Sequence, residues 1–129
     1  MGNGTPIGRV RGLGSAHEGA DGWWHHKISA GSNLVLVLWF LLSIALLPNY
    51  DYATISGWLA QPWAAVPLIL LVVSTFYHFH HGLTVVIEDY QHDETRFVLL
   101  LLLKYFTIAT ATLAIFSILK VAFTAGATL

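Results

Sequence analysis

Apolar positions in this chain fall into three long runs separated by short polar stretches, and the runs continue too long without a charge to suit a water-soluble fold. The first extends from about Ile28 to Leu47 and contains the uncharged stretch LVLVLWFLLSIALL. As a helix it would cover roughly 30 Å, the thickness of a bilayer's hydrocarbon core. Pro48-Asn49 ends it, because proline has no amide hydrogen with which to continue the ladder. The second run, about Pro62 to Ile87, opens on Pro62-Trp63, and Pro67 falls early enough to cost few hydrogen bonds. The third runs from about Phe97 to Phe123. The pattern predicts an all-α membrane protein: three transmembrane helices in an anchor domain over 28–129, behind an N-terminal arm over 1–27.

The connecting segments are short. NYDYATISGWLAQ reads as a loop whose aromatics Tyr50, Tyr52 and Trp58, with Trp63 just beyond, suit a membrane–water interface. Residues 88–94, EDYQHDE, form an acidic turn, and a Gly/Ala tail ends the chain. The Gly-rich arm carries Arg9, Arg11, Glu18, Asp21 and Lys27. It lacks the early apolar stretch of a secretory signal and is too acidic for a mitochondrial presequence, so a retained cytoplasmic or interfacial amphipathic arm is expected. Three crossings put the arm and the turn around Asp89 on one side, with Arg9, Arg11, Lys27 and Arg96; the other side holds Lys120. Positive charge stays inside, which predicts a cytoplasmic N-terminus and a periplasmic C-terminus in a bacterial inner membrane. No internal repeat is visible, which disfavours a single-copy inverted-repeat transporter.

Composition agrees with lipid as the solvent. Of 129 residues, 56% are apolar and 10% charged, against roughly 25% charged in soluble domains. A net charge of -1 offers nucleic acid nothing to bind. The absence of cysteine excludes disulfides, thiolate metal sites and an iron–sulfur cluster held by this chain.

Chemistry concentrates in the second span, which contains Ser74, Thr75, His78, His80 and His81. Ionisable groups at this depth are costly and usually face protein, water or a cofactor. His78 lies about 15 Å of helix inside the Glu88 end. His80 points to the opposite side, since two residues turn a helix by about 200°, whereas His81 lies nearer the His78 face. Ser74-xxx-His78-xxx-Gly82 puts small residues one turn either side of an imidazole. That leaves a flat trough in which a porphyrin could bring its iron to the ring, and neutral imidazole is a common axial ligand. The same spacing also serves close helix–helix packing. A metal site from the HFHH run is a further alternative, although it would need ligands from elsewhere.

At the end of this span, Asp89-Tyr90 places a phenol at the membrane surface, able to donate to a carbonyl such as a quinone's. Tyrosines and acids are also ordinary at that depth. Trp23-Trp24-His25-His26-Lys27 reads as an interfacial anchor whose cation or imidazoles could meet haem propionates or a partner. Ser29-Ala30-Gly31-Ser32 gives a small first turn fit for close contact with another helix. Lys104 reads as structural, snorkelling to the cytoplasmic surface. Thr107, Thr110, Ala111 and Ala114 supply a packing face.

The run His78-xxx-Gly82-xxxxxx-Asp89-Tyr90, within HFHHGLTVVIEDY, resembles the signature of the small cytochrome b membrane-anchor chain of succinate dehydrogenase, the lesser of the two anchors of respiratory complex II. The arm RVRGLGSAHEGADGWWHHKISAGSN is similar to the amphipathic start of alphaproteobacterial and mitochondrial members. The resemblance implies a non-catalytic anchor in a succinate:ubiquinone oxidoreductase of the tricarboxylic acid cycle and aerobic electron transport. It implies that His78 is an axial ligand to the iron of a b-type haem shared with the larger cytochrome b anchor subunit. It implies that Tyr90 hydrogen-bonds ubiquinone, with Asp89 beside it, and that electrons arrive from a flavoprotein subunit through an iron–sulfur subunit. Where many relatives have Gln-Arg, this chain has His26-Lys27. Arg presents a fork and Lys a point charge, so Lys27 could offer a propionate only a single-point contact. His81 stays open as an alternative ligand. A fumarate reductase anchor and a haem-free structural subunit are the other readings.

Overall fold

A computed structural model describes residues 19–125. All regular structure among them is helical: α1 Gly19–Ala45, α2 Tyr52–Leu59, α3 Pro62–Tyr90 and α4 Glu94–Thr124. Three of these, over Gly22–Ala45, Pro62–Tyr90 and Glu94–Thr124, are long and apolar enough to cross a membrane. The lengths of α3 and α4, 29 and 31 residues, correspond to roughly 45 Å, so their ends stand beyond a hydrocarbon core of about 30 Å.

Most helix ends outrun the expected spans for one reason, and the C-terminal end of α1 stops short of its span. Hydropathy marks the lipid-facing stretch, whereas a helix continues until its hydrogen bonding fails. Nothing between Gly19 and Ile28 breaks a helix, so α1 begins within the expected arm, nine residues ahead of the apolar run. The remainder of the arm, including Arg9, Arg11 and Glu18, lies outside the described residues. At its other end α1 stops at Ala45 rather than Leu47: Leu47 N–H reaches back only to Ile44 C=O at 3.0 Å, ahead of Pro48. α3 runs three residues past Ile87, and α4 starts three before Phe97.

The segment expected to be a loop contains α2. Asp51 stands in extended conformation at its N-terminus, and Ile55 N–H donates to Asp51 C=O at 3.1 Å. Thr54 Oγ1 donates to Asp51 Oδ1 at 2.6 Å, which holds the Asp51 carboxyl below the usual carboxylate value. The helix is fixed by what it buries: Trp58 stacks on Trp39 of α1 at 6.1 Å and meets Trp63 of α3 edge-on at 6.5 Å. Such a reason is tertiary, and eight residues with no apolar run do not announce it.

α3 is the centre of the arrangement. It packs against α1 on one side and α4 on the other, and among the described residues α1 and α4 make no helix–helix contact with each other. The row of three antiparallel spans brings the His26 end of α1, the Glu88 end of α3 and the Arg96 end of α4 to one end. There Arg96 Nη2 pairs with Glu88 Oε1 at 3.1 Å, both half-exposed, a link worth at most about 1 kcal/mol. A flat row buries little. The buried residues are few and mostly small, such as Ala64, Ala65, Ser29 and Thr107, while most large apolar side chains face outward. Hydroxyls on α4 are satisfied within the helix, as lipid demands: Thr107, Thr110 and Ser117 donate to the carbonyls of Leu103, Phe106 and Leu113 at 2.6, 2.6 and 2.8 Å.

Candidate functional site

Two faces of α3 carry its histidines, and the row gives each a different neighbour. His78 turns toward α1 and His80 toward α4, as a rotation of about 200° requires. On the α1 side the His26 ring stacks on His78 at 4.6 Å with an interplanar angle of 27°. His81 lies 6.2 Å from the same His26 ring and stacks on Tyr77 at 6.1 Å. Thr75 Oγ1 donates to Asn33 Oδ1 at 3.4 Å further along the same contact.

The hydrogen bonds around His78 determine more than its position. Ser29 Oγ lies 3.0 Å from His78 Nδ1 and 3.0 Å from the backbone carbonyl of His26. A serine has one hydroxyl hydrogen, and the carbonyl can only accept, so that hydrogen goes to His26 C=O. Ser29 Oγ then accepts from His78 Nδ1–H. Both contacts are hydrogen bonds at once only when the neutral imidazole carries its hydrogen on Nδ1 and its lone pair on Nε2, the form in which a histidine binds a metal through Nε2.

Beside this imidazole the surface is open. A Cβ built on Gly82, one turn from His78, meets nothing within 4 Å. One turn the other way, Ser74 lines a groove of about 360 Å³ between α1 and α3, together with His25, Ser29, Ser32, Leu36 and Leu70. The small residues on both helices make the groove, and it is open on one side. An oriented imidazole with a free Nε2, flanked by space where side chains would otherwise stand, fits a planar macrocycle bearing iron.

The other expected residues stand apart. Asp89 and Tyr90 close α3 and are exposed, Tyr90 at 79%. Twelve residues separate Tyr90 from His78, about 18 Å along the helix. Lys27 rests on Trp23, its Nζ 5.7 Å from the ring centre, a cation–π contact. On the far side of α3, His80 and Lys104 line a second groove of about 330 Å³, where His80 Nδ1 is buried without a partner among the described residues. No three His, Asp or Glu side chains among the described residues converge as a metal site. Sequence reasoning missed the link from Ser29 and His26 to His78. The small first turn of α1 signalled a close contact, but nothing in the order of residues says which turn of which helix it meets.

Fold and site together define a multi-pass helical membrane subunit whose central span offers one oriented imidazole beside a groove left open for other molecules. The chain belongs to the family of succinate dehydrogenase/fumarate reductase transmembrane subunits, whose model matches residues 1–125. It is 32% identical to a succinate dehydrogenase hydrophobic membrane anchor subunit from Rickettsia bellii over 105 residues, covering 81% of this chain and 84% of the relative. A Paracoccus denitrificans protein of the same description is 28% identical over 116 residues, covering 90% of each. Another from Rickettsia conorii is 29% identical over 106 residues, covering 81% and 84%. No solved structure matches. The chain is thus a membrane-anchor component of an oxidoreductase complex, and the resemblance carried by His78, Gly82, Asp89 and Tyr90 led to the same family.

Proposed function

We propose that this chain is the small anchor of a succinate:ubiquinone oxidoreductase, that His78 ligates a b-type haem through Nε2, and that Tyr90 with Asp89 contributes to a ubiquinone-reduction site. The observation that carries the haem assignment is the Ser29 Oγ–His78 Nδ1 hydrogen bond, which leaves Nε2 as the free ring nitrogen beside Gly82. His81 has no such partner among the described residues and rests against Tyr77, so His78 is the ligand of choice. A bound haem would supply a one-electron store within the membrane. His26 lies against the face of the His78 ring at 4.6 Å and would not serve as a second ligand, which the larger cytochrome b anchor would supply. Lys27 is the cation available at the level of the site for a single-point propionate contact.

Exposed Tyr90 and Asp89 suit a quinone site formed between chains. The phenol donates to a quinone carbonyl, and the adjacent carboxylate orients water or relays protons. An iron–sulfur subunit and a flavoprotein subunit on the cytoplasmic side supply the electrons. The charge distribution along the sequence, with Arg9, Arg11 and Lys27 ahead of the first span and Arg96 between the second and third against Lys120 near the end of the third, supports an N-terminus in the cytoplasm and a C-terminus in the periplasm. Succinate oxidation is preferred to fumarate reduction because all three relatives bear the succinate dehydrogenase name.

Purification in mild detergent through a tag on this chain tests the reading. A b-type band in the reduced-minus-oxidised spectrum, with a flavoprotein and an iron–sulfur protein co-eluting, is the expected result. Their absence would return the chain to a haem-free structural role. The open space at Gly82 makes a second prediction: Gly82→Leu fills the space one turn from His78 and lowers the haem-to-protein ratio. Gly82→Ala leaves assembly intact, since its Cβ meets nothing within 4 Å and alanine favours a helix by about 1 kcal/mol. Equal haem content in the Gly82→Leu complex would remove the space at Gly82 from the haem site.

A further inference from the structure

We infer that Ser29 is a positioning residue for the haem: by accepting a hydrogen bond from His78 Nδ1–H it fixes the ring's tautomer and tunes the iron's potential, an assignment that rests on His78 being the axial ligand. Three observations converge on it. Ser29 is among the few buried side chains of the described residues, at 6% exposure, so its hydroxyl has little room to trade partners. Its single hydrogen is committed to the carbonyl of His26 at 3.0 Å, which leaves Oγ as an acceptor for Nδ1–H at 3.0 Å. The residue supplying that carbonyl also lays its own ring on His78 at 4.6 Å. One turn of α1 therefore holds the imidazole edge-on through Ser29 and face-on through His26.

The consequence is electronic as well as steric. A ring whose Nδ1–H donates to an oxygen is a stronger electron donor through Nε2, as outer partners of metal-bound histidines generally make it. Stronger donation favours ferric over ferrous iron and lowers the midpoint potential. Removing the acceptor raises it. It also lets the ring turn over, so that Nδ1 and Nε2 compete for the proton.

The test uses the assembled complex and a pair of near-isosteric replacements. Ser29→Thr keeps a hydroxyl, and Ser29→Val has nearly the same shape without one, so a role in packing alone moves both equally. Haem content, midpoint potential and the low-temperature electron paramagnetic resonance of the ferric haem are measured for each. The expected result is a haem in Ser29→Val whose ferric preference falls by about tenfold, as when the low end of the affinity loss from outer-shell substitutions falls on the ferric state alone. That equals a rise of about 59 mV for a one-electron couple. The resonance shifts with it, and Ser29→Thr stays close to the parent on both. Loss of haem in Ser29→Val alone, with the subunits still assembled, supports the same role. Val and Thr variants that behave alike, whether unchanged or both failing to assemble, overturn it. A parent complex without haem, or one that keeps its haem in His78→Ala, instead refutes the ligand assignment beneath it.

Discussion

His78→Ala is expected to abolish the b-haem spectrum of the complex while the chain still inserts. The three spans are set by runs of apolar residues that the substitution does not touch, so insertion is insensitive to it. The loss of a ligand should exceed the roughly 10–100-fold in affinity that outer-shell partners carry. The matching control is His81→Ala. His81 stands on the same side of α3, 6.2 Å from the His26 ring, and its removal should leave haem in place. A spectrum that survives His78→Ala and disappears with His81→Ala would reverse the assignment. One unchanged by both would remove haem ligation from this chain.

Tyr90→Phe should lower ubiquinone reduction by about tenfold while succinate-driven reduction of a soluble acceptor continues at the parental rate. A hydrogen bond to a substrate carbonyl is worth about 1–1.5 kcal/mol, and about 1.4 kcal/mol is tenfold. The readout is clean because Tyr90 is 79% exposed and its hydroxyl makes no hydrogen bond among the described residues, so it can be removed without disturbing α3. Both activities falling together would indicate damaged assembly. Both unaffected would make Tyr90 an interfacial aromatic of the ordinary kind. The separation from His78, about 18 Å along the helix, predicts further that Tyr90→Phe leaves the haem spectrum as it was.

The two residues differ in how far the sequence alone could take them. Tyr90 was legible by position, at the end of an apolar run and beside Asp89, and the fold adds that it is exposed for a partner to meet. His78 was legible as an ionisable group at depth with small residues a turn away. Its tautomer was not, because that depends on Ser29, 49 residues distant in the chain. Lys27 shows the converse. Sequence placed it beside His26 as a cation near the membrane surface, yet a helix turns about 100° between neighbours, and the two side chains leave α1 in different directions. His26 meets His78, and Lys27 meets Trp23.

The order of residues by itself determined the medium, the number of crossings and the family, because each is written in local features: runs long enough for a bilayer, prolines and charges that end them, and one His–Gly–Asp–Tyr spacing. It also determined that His78 and His80 face opposite ways, since that follows from the pitch of a single helix. Tertiary structure alone decided which helix each face meets, that the expected loop folds as α2 around Trp58, and that Ser29 lies within hydrogen-bond distance of the His78 imidazole. Those outcomes depend on the relative height and rotation of separate helices. Lateral packing sets both, through small contacts such as Ser29 and Ala64 that carry almost no signal in a pattern of apolar and polar positions.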